Sequence, residues 1–174
     1  MEEHDGVITV RSTPDEGTTF DVYLPEFTEF ADSGSAHEEP LPRGRGQRVL
    51  FVDDETVIGR AIQQLLERLG YRATVHSDPR EAWTAFDAAP AAFDVVVTDL
   101  TMPHWTGIEL ARRILARRPD TPVILTTGHS GTWTPFGIQA LGIRTMICKP
   151  LTSAKLAIEL HAVLASIKPE AFPS

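Results

Sequence analysis

Residues 48–54 have the sequence Arg-Val-Leu-Phe-Val-Asp-Asp. A short apolar run that ends in charged residues is typical of a strand buried on both faces, as in parallel sheets. Apolar residues then recur at helical spacing at Ile58, Ile62, Leu65 and Leu69. Gly70 follows them, and glycine commonly ends a helix. This stretch therefore predicts a buried strand followed by an amphipathic helix.

The same alternation continues along the rest of the chain. Further strands are predicted at 71–76, 93–98, 122–127 and 144–148. Further helices are predicted at 79–88, 108–116, 136–141 and 152–167, the first of them with Asp78 as its N-cap. Five such units predict an α/β domain over residues 48–168, with a flavodoxin-like doubly wound five-stranded parallel sheet, (βα)5.

The amino-terminal part of the chain has a different pattern. Residues 6–11 and 18–24 alternate polar and apolar side chains around a turn at 14–17, which predicts a short β-hairpin over residues 1–25. Because an isolated hairpin is marginal in water, we expect it to need a partner surface. Residues 26–47 are rich in Gly, Ser and Pro and predict a flexible linker, and residues 169–174 are a tail.

Charge and composition exclude several classes of protein. The net charge of -8 lies entirely in residues 1–47, so the rest of the chain is neutral and has no electrostatic footprint for nucleic acid. No apolar run is long enough to cross a bilayer, and the acidic start is unlike a signal peptide. We therefore expect a cytoplasmic protein without membrane contact. The single cysteine, Cys148, excludes an internal disulfide and is expected in the core.

Polar side chains that could carry chemistry follow the predicted strands. Asp53 and Asp54 follow the first strand, Asp99 ends the third, Thr127 ends the fourth, and Lys149 ends the fifth. The carboxyl ends of parallel strands meet at one edge of the sheet, so these residues should converge there. Carboxylates so close together repel one another unless a cation lies among them, and an oxygen-rich site suits Mg²⁺. The pattern predicts phosphoryl transfer onto a carboxylate.

These motifs resemble the receiver domain of response regulators and hybrid histidine kinases. They stand in order at 51–55 (FVDDE), 97–103 (VTDLTMP) with Gly107, 125–128 (LTTG) and 148–150 (CKP). The resemblance implies that Asp99 accepts a phosphoryl group from a phosphohistidine on a histidine kinase or a histidine phosphotransfer protein. It also implies that Mg²⁺ is held by Asp53, Asp54, Asp99 and the backbone carbonyl of Thr101.

The resemblance assigns two further groups at the site. Thr127 corresponds to the switch hydroxyl, and Lys149 to the phosphate-binding lysine, followed by a cis bond to Pro150. Thr126 competes with Thr127 for the hydroxyl position, but strand alternation turns Thr126 toward the opposite face of the sheet. Met146 stands where many receivers have an aromatic switch residue, so acceptance of phosphate is predicted more firmly than its conformational output.

The hairpin has a resemblance of its own. Residues 4–10 and 17–25 are similar to the last strands of a histidine kinase ATPase domain. The order of hairpin, linker and receiver is then that of a hybrid histidine kinase. The nucleotide-binding parts of such a kinase do not precede the hairpin, so this chain is not expected to bind ATP or to act as an enzyme.

Two other functions are compatible with parts of the pattern. The chain could be a stand-alone single-domain response regulator that acts by phosphorylation-dependent protein binding. A phosphohydrolase with an aspartyl nucleophile is less favoured, since such enzymes place a second acid where this chain has Thr101.

Overall fold

The computed structural model describes residues 7–14, 17–23, 41–128 and 135–166. The chain divides into two compact units, residues 1–39 and 40–174. Most of the predicted linker, the tail, and the predicted end of the last helix at Ile167 lie outside the described residues. None of the helices in the described ranges is long and apolar enough to span a bilayer.

The first unit contains the predicted hairpin. Strands β1 (Val7–Thr13) and β2 (Gly17–Tyr23) pair in antiparallel fashion. Alternation in this register places four exposed apolar side chains on one face of the hairpin, namely Ile8, Val10, Phe20 and Val22. The hairpin therefore presents an apolar face that no described residue of its own unit covers.

The second unit confirms the predicted doubly wound α/β fold. Its five parallel strands are β3 (Arg48–Val52), β4 (Arg72–His76), β5 (Val95–Asp99), β6 (Val123–Thr127) and β7 (Thr145–Cys148). Their order in the sheet is β4-β3-β5-β6-β7. The helices are α1 (Thr56–Arg68), α2 (Pro79–Ala88), α3 (Gly107–Arg117), α4 (Pro135–Gln139) and α5 (Ser153–Ala165), and a 3₁₀ turn covers Pro90–Ala92.

The core lies in two layers, one on each face of the sheet. One layer packs Phe86 of α2 and Ile114 of α3 against the sheet, and the other packs Leu66 of α1 and Leu160 of α5. Strands β5 and β6 are buried along their whole length. Burial on both faces explains why each begins with three consecutive apolar residues.

Side-chain caps fix where the helices near the site begin. The Asp78 carboxylate accepts a hydrogen bond from the Arg80 backbone N–H, as predicted for the N-cap of α2. The Arg80 side chain also donates to it, and these bonds lower the pKa of Asp78 to about 2. Thr106 and Glu109 form a reciprocal capping box at the start of α3.

The end of the predicted linker is part of the second unit. The backbone amides of Gly44 and Gly46 donate to the two carbonyls that follow α1, and the Gln47 carbonyl accepts from the first residue of β4. Gly44 packs on the ring of Tyr71, since a Cβ there would lie 2.6 Å from a ring carbon. Burial raises the pKa of that tyrosine. The prediction of a flexible linker is therefore wrong for residues 44–47.

A truncation tests this boundary. We expect a chain that begins at residue 48 to unfold with a free energy about 1.5–4.5 kcal/mol lower than one that begins at residue 41. Three backbone hydrogen bonds at about 0.5–1.5 kcal/mol each account for that range. Urea denaturation of the two chains measures the difference, with the full chain as reference. Equal midpoints and equal slopes for the two truncations would contradict the assignment.

Candidate functional site

A lysine ammonium lies between two buried carboxylates at the carboxyl edge of the sheet. The Nζ atom of Lys149 is 3.0 Å from Oδ2 of Asp53 and 3.1 Å from Oδ1 of Asp99. Asp53 is fully buried and Asp99 is 6% exposed. The structure therefore brings together three of the residues that the sequence placed at strand ends.

The order of the strands explains why this cation is a lysine. Asp53 follows β3 and Asp99 ends the neighbouring strand β5, so their carboxylates are adjacent. Lys149 follows β7, which lies two strands from β5, a separation of about 10 Å. A long side chain is needed to reach across β6, and the four-carbon stem of lysine supplies it.

The carboxylates keep the lysine charged. Partial burial by itself lowers the pKa of Lys149, but attraction to the carboxylates of Asp53 and Asp99 outweighs it and raises the pKa above 10.5. A raised pKa means that the folded state holds this proton more tightly than the unfolded chain does. The stabilisation is therefore fully present below pH 10.5 and is lost as the pH rises through the pKa of the folded state.

Asp53 has one oxygen that is only partly satisfied. Its Oδ1 accepts a hydrogen bond from the backbone N–H of Glu55 at 3.0 Å. Its Oδ2 has the Lys149 ammonium at ion-pair distance, but no well-directed hydrogen bond among the described residues. A buried anionic oxygen in this state can accept a further cation.

The two oxygens of Asp99 differ in their surroundings. Oδ1 accepts from Lys149 and from the Thr126 hydroxyl, the latter at 3.2 Å. Among the described residues, the bond given for Oδ2 is a long one, 3.3 Å, from the backbone N–H of Thr101. The hydroxyl of Thr126, which sequence reasoning weighed and set aside, therefore belongs to the site.

Sequence reasoning turned Thr126 to the opposite face from Thr127, and its exclusion from the site on that ground is wrong, because its hydroxyl bonds Asp99. Thr126 and Asp99 are partners in the parallel register of β5 and β6, so their side chains lie on the same side of the sheet. The alternation rule assumes a site on one face of the sheet. This site lies at the carboxyl ends of the strands, which side chains from both faces of the sheet can reach. Thr127 therefore also borders it. The sequence alone does not give the register between β5 and β6, and the position of Thr126 depends on it.

An open cavity of about 750 Å³ adjoins Asp99. Its walls include Lys149 and Thr127, and the backbone N–H of Lys149 donates to the Thr127 carbonyl at 2.8 Å. The described residues that line the cavity are Glu55, Asp99, Leu100, Thr101, Thr106, Ile108, Arg112, Thr127, Gly128 and Lys149. A small phosphorylated group could therefore approach Asp99 from this side.

Asp54 and Thr101 are exposed, and Thr101 lines the cavity. In the ranges that the structure describes, no three acidic, histidine or cysteine side chains are grouped closely enough to hold a metal ion. The charged side chains that meet in the buried part of the site are two carboxylates and one ammonium. Any Mg²⁺ here would have to keep several water ligands, as it commonly does in proteins.

Gly107 allows α3 to begin directly against the strand that carries Asp99. A Cβ atom at this position would lie 2.2 Å from the Asp99 carbonyl oxygen, closer than any real contact. The Gly107 N–H donates to the Leu100 carbonyl at 3.0 Å. The Lys149–Pro150 peptide is cis, as the resemblance implied.

The structure also shows the surroundings of Met146, Trp105 and Cys148. Met146 is half-buried and packs against the core layer of α2 and α3. The Arg113 guanidinium of α3 lies 4.0 Å from the centre of the Trp105 ring. Cys148 is exposed, which contradicts the expectation of a core position, because β7 is the edge strand of the sheet.

The chain belongs to the response regulator receiver domain family. The sequence model of that domain matches residues 49–161. The Chemotaxis protein CheY1 of Helicobacter pylori is 32% identical over 122 residues, which cover 68% of this chain and 98% of that protein. The C4-dicarboxylate transport transcriptional regulatory protein DctD of Rhizobium meliloti is 36% identical over 110 residues, or 62% of this chain. The match spans only 23% of DctD, and 52% of QseB from Haemophilus influenzae.

Solved receiver structures have the same fold. A response regulator receiver domain protein from Clostridium thermocellum has a TM-score of 0.66 and 30% identity, covering 70% of this chain and 97% of that one. The response regulator TrrA of Thermotoga maritima, solved in complex with Mg²⁺ and BeF, has a TM-score of 0.61 and 25% identity. That match covers 67% of this chain and 98% of TrrA.

The charge of Lys149 can be tested directly. We expect NMR titration of its side chain to give a pKa above 10.5, and Asp53→Asn to lower it, because one of the two anions is lost while the partial burial remains. Lys155 is an exposed lysine and provides the internal reference. A pKa that is unchanged in Asp53→Asn would show that the ion pair does not hold the lysine.

Proposed function

We propose that the chain is a phosphorelay receiver that accepts a phosphoryl group on Asp99 from a phosphohistidine donor, in a reaction that depends on Mg²⁺. One observation carries the proposal. The Asp99 carboxylate faces an open cavity with a lysine ammonium 3.1 Å from its Oδ1 atom and a second buried carboxylate beyond that ammonium. This arrangement suits a carboxylate nucleophile and transferring oxygens that need positive charge.

Three side chains of this protein are proposed to take part in the phosphoryl transfer. An oxygen of Asp99 attacks the phosphorus atom as the bond from phosphorus to the donor imidazole nitrogen breaks. The Lys149 ammonium lies where it can neutralise charge on the transferring oxygens. Thr127, in the cavity wall, is the hydroxyl proposed to hydrogen-bond the phosphoryl group once it is bound.

The acidic residues fit a Mg²⁺ ion in their donor chemistry. The under-satisfied Oδ2 of Asp53 and the weakly bonded Oδ2 of Asp99 are the buried oxygens proposed to face it. The proposed ligands from exposed residues are Asp54 and the carbonyl of Thr101. When bound, Mg²⁺ supplies charge neutralisation to the phosphoryl oxygens. The complex of TrrA with Mg²⁺ and BeF supports this part of the proposal by similarity.

The proposed partner is a protein. A histidine kinase or a histidine phosphotransfer protein would supply the phosphoryl group. The charge distribution favours a protein over nucleic acid, because the acidic excess lies in residues 1–47 and the receiver is neutral. In this proposal the chain is a cytoplasmic signal transducer. It does not phosphorylate other proteins.

The hairpin supports a finer proposal about context. We infer that it is the end of a kinase ATPase domain, so that the receiver belongs to a hybrid histidine kinase. The supporting observation is the exposed apolar face of Ile8, Val10, Phe20 and Val22, which is suited to packing against a larger domain. A kinase core encoded in frame upstream of Met1 would support it. A separate upstream gene would favour the alternative, a stand-alone regulator.

Phosphorylation is tested with a small donor. We expect incubation with acetyl phosphate and Mg²⁺ to add one phosphoryl group, detected by intact mass spectrometry, and Asp99→Asn to remove the reaction. Asp53→Asn should slow labelling by about tenfold or more, because it removes the charge of one carboxylate that is proposed to face Mg²⁺.

The matched control is Asp120→Asn, an exposed acid on the loop before β6. It should label like the unmodified chain. Equal labelling of the unmodified chain and Asp99→Asn would contradict the assignment of the acceptor. Labelling that is equally fast with Mg²⁺ and with a chelator would contradict the metal.

A further inference from the structure

Thr126 places a buried hydroxyl on the acceptor carboxylate. The residue is fully buried, and its hydroxyl donates to Oδ1 of Asp99 at 3.2 Å. Its backbone carbonyl accepts from the Leu100 N–H at 2.8 Å. These two bonds, one from the side chain and one from the backbone, hold β6 to the residues that end β5. Thr126 therefore has a fixed position relative to Asp99.

This hydroxyl bonds the acceptor most strongly when the acceptor is unmodified. Oδ1 carries about half of a negative charge in the carboxylate, and hydrogen bonds to charged oxygens are roughly twice as strong as neutral ones. In the acyl phosphate, either oxygen of Asp99 carries much less charge. The bond from Thr126 thus stabilises the free carboxylate relative to the phosphorylated one.

We infer that the Thr126 hydroxyl shortens the lifetime of the aspartyl phosphate. This inference rests on the proposed function. In hydrolysis, water attacks phosphorus, the bond from phosphorus to the Asp99 oxygen breaks, and its electron pair returns to the carboxylate. The proton lost by the water goes to solvent, and inorganic phosphate leaves. As charge returns to Asp99, the bond from Thr126 strengthens and lowers the barrier.

The Thr126 hydroxyl mainly accelerates the loss of the phosphoryl group from Asp99. In a loose transition state the carboxylate already carries most of its charge. The hydroxyl therefore stabilises the transition state almost as much as the free carboxylate, and the rate of phosphorylation changes little. The acyl phosphate is the state that gains least from it. Thr126 is thus a rate-setting group that acts through Asp99.

The test compares hydroxyl and methyl at nearly constant shape. The full chain is labelled with acetyl phosphate and Mg²⁺, the donor is removed, and decay of the phosphorylated mass is followed. We expect Thr126→Val to lengthen the half-life about two- to tenfold, the range that one hydrogen bond of ordinary net strength provides. The labelling rate of each variant is measured separately, so that a change in acceptance is kept apart from a change in decay.

Two further variants separate this role from packing. Thr126→Ser keeps the hydroxyl and should keep the original half-life. Thr98 is a second fully buried threonine beside the acceptor, but its hydroxyl bonds the Asp99 backbone carbonyl at 3.2 Å and does not bond the carboxylate. Thr98→Val should therefore leave the half-life unchanged.

Several results would overturn the inference. An unchanged half-life in Thr126→Val would do so, and so would an equal lengthening in Thr126→Ser or Thr98→Val. These outcomes count against Thr126 alone, since the chain must be labelled on Asp99 for a half-life to be measured. If the unmodified chain takes no label, the proposed acceptor fails and the role of Thr126 fails with it.

Discussion

The ion pair that joins Lys149 to Asp53 and Asp99 is the interaction on which the site depends. Two carboxylates buried side by side would repel each other, and the ammonium between them makes their burial tolerable. Breaking such a pair by removing one partner typically costs about 3–5 kcal/mol. The same ammonium supplies positive charge where a phosphoryl group would enter. One contact therefore serves both the stability of the sheet edge and the proposed chemistry.

The sheet determines which groups can meet at this contact. Because β3 and β5 are neighbours, their terminal aspartates share one pocket, and the long side chain of Lys149 reaches them from β7. Gly107 lets α3 begin against the Asp99 carbonyl, so that this helix packs directly on the strand that carries the acceptor. On the other side, the cavity lined by Thr127 stays open. The backbone of Asp99 thus packs directly against the start of α3, while its side chain borders the open cavity.

Much of this could be predicted from the sequence, because buried parallel strands are apolar throughout and their ends carry the polar residues. The convergence of Asp53, Asp99 and Lys149 followed from that pattern. The position of Thr126 did not, since it depends on the register between β5 and β6 and on a site at the sheet edge. Residues 44–47 have the composition of a linker, and only their backbone bonds to the end of α1 reveal their place. The exposure of Cys148 could be predicted only with the strand order, which shows that β7 is an edge strand.

The central claim is that Asp99 becomes an acyl phosphate, and chemical trapping locates such a bond. Borohydride reduces an aspartyl phosphate to homoserine and leaves a free carboxylate unchanged. After phosphorylation with acetyl phosphate and Mg²⁺, peptide mass spectrometry should find homoserine at position 99 and unmodified aspartate at positions 53 and 54. Homoserine at another position, or phosphate on a residue that borohydride does not alter, would contradict the account.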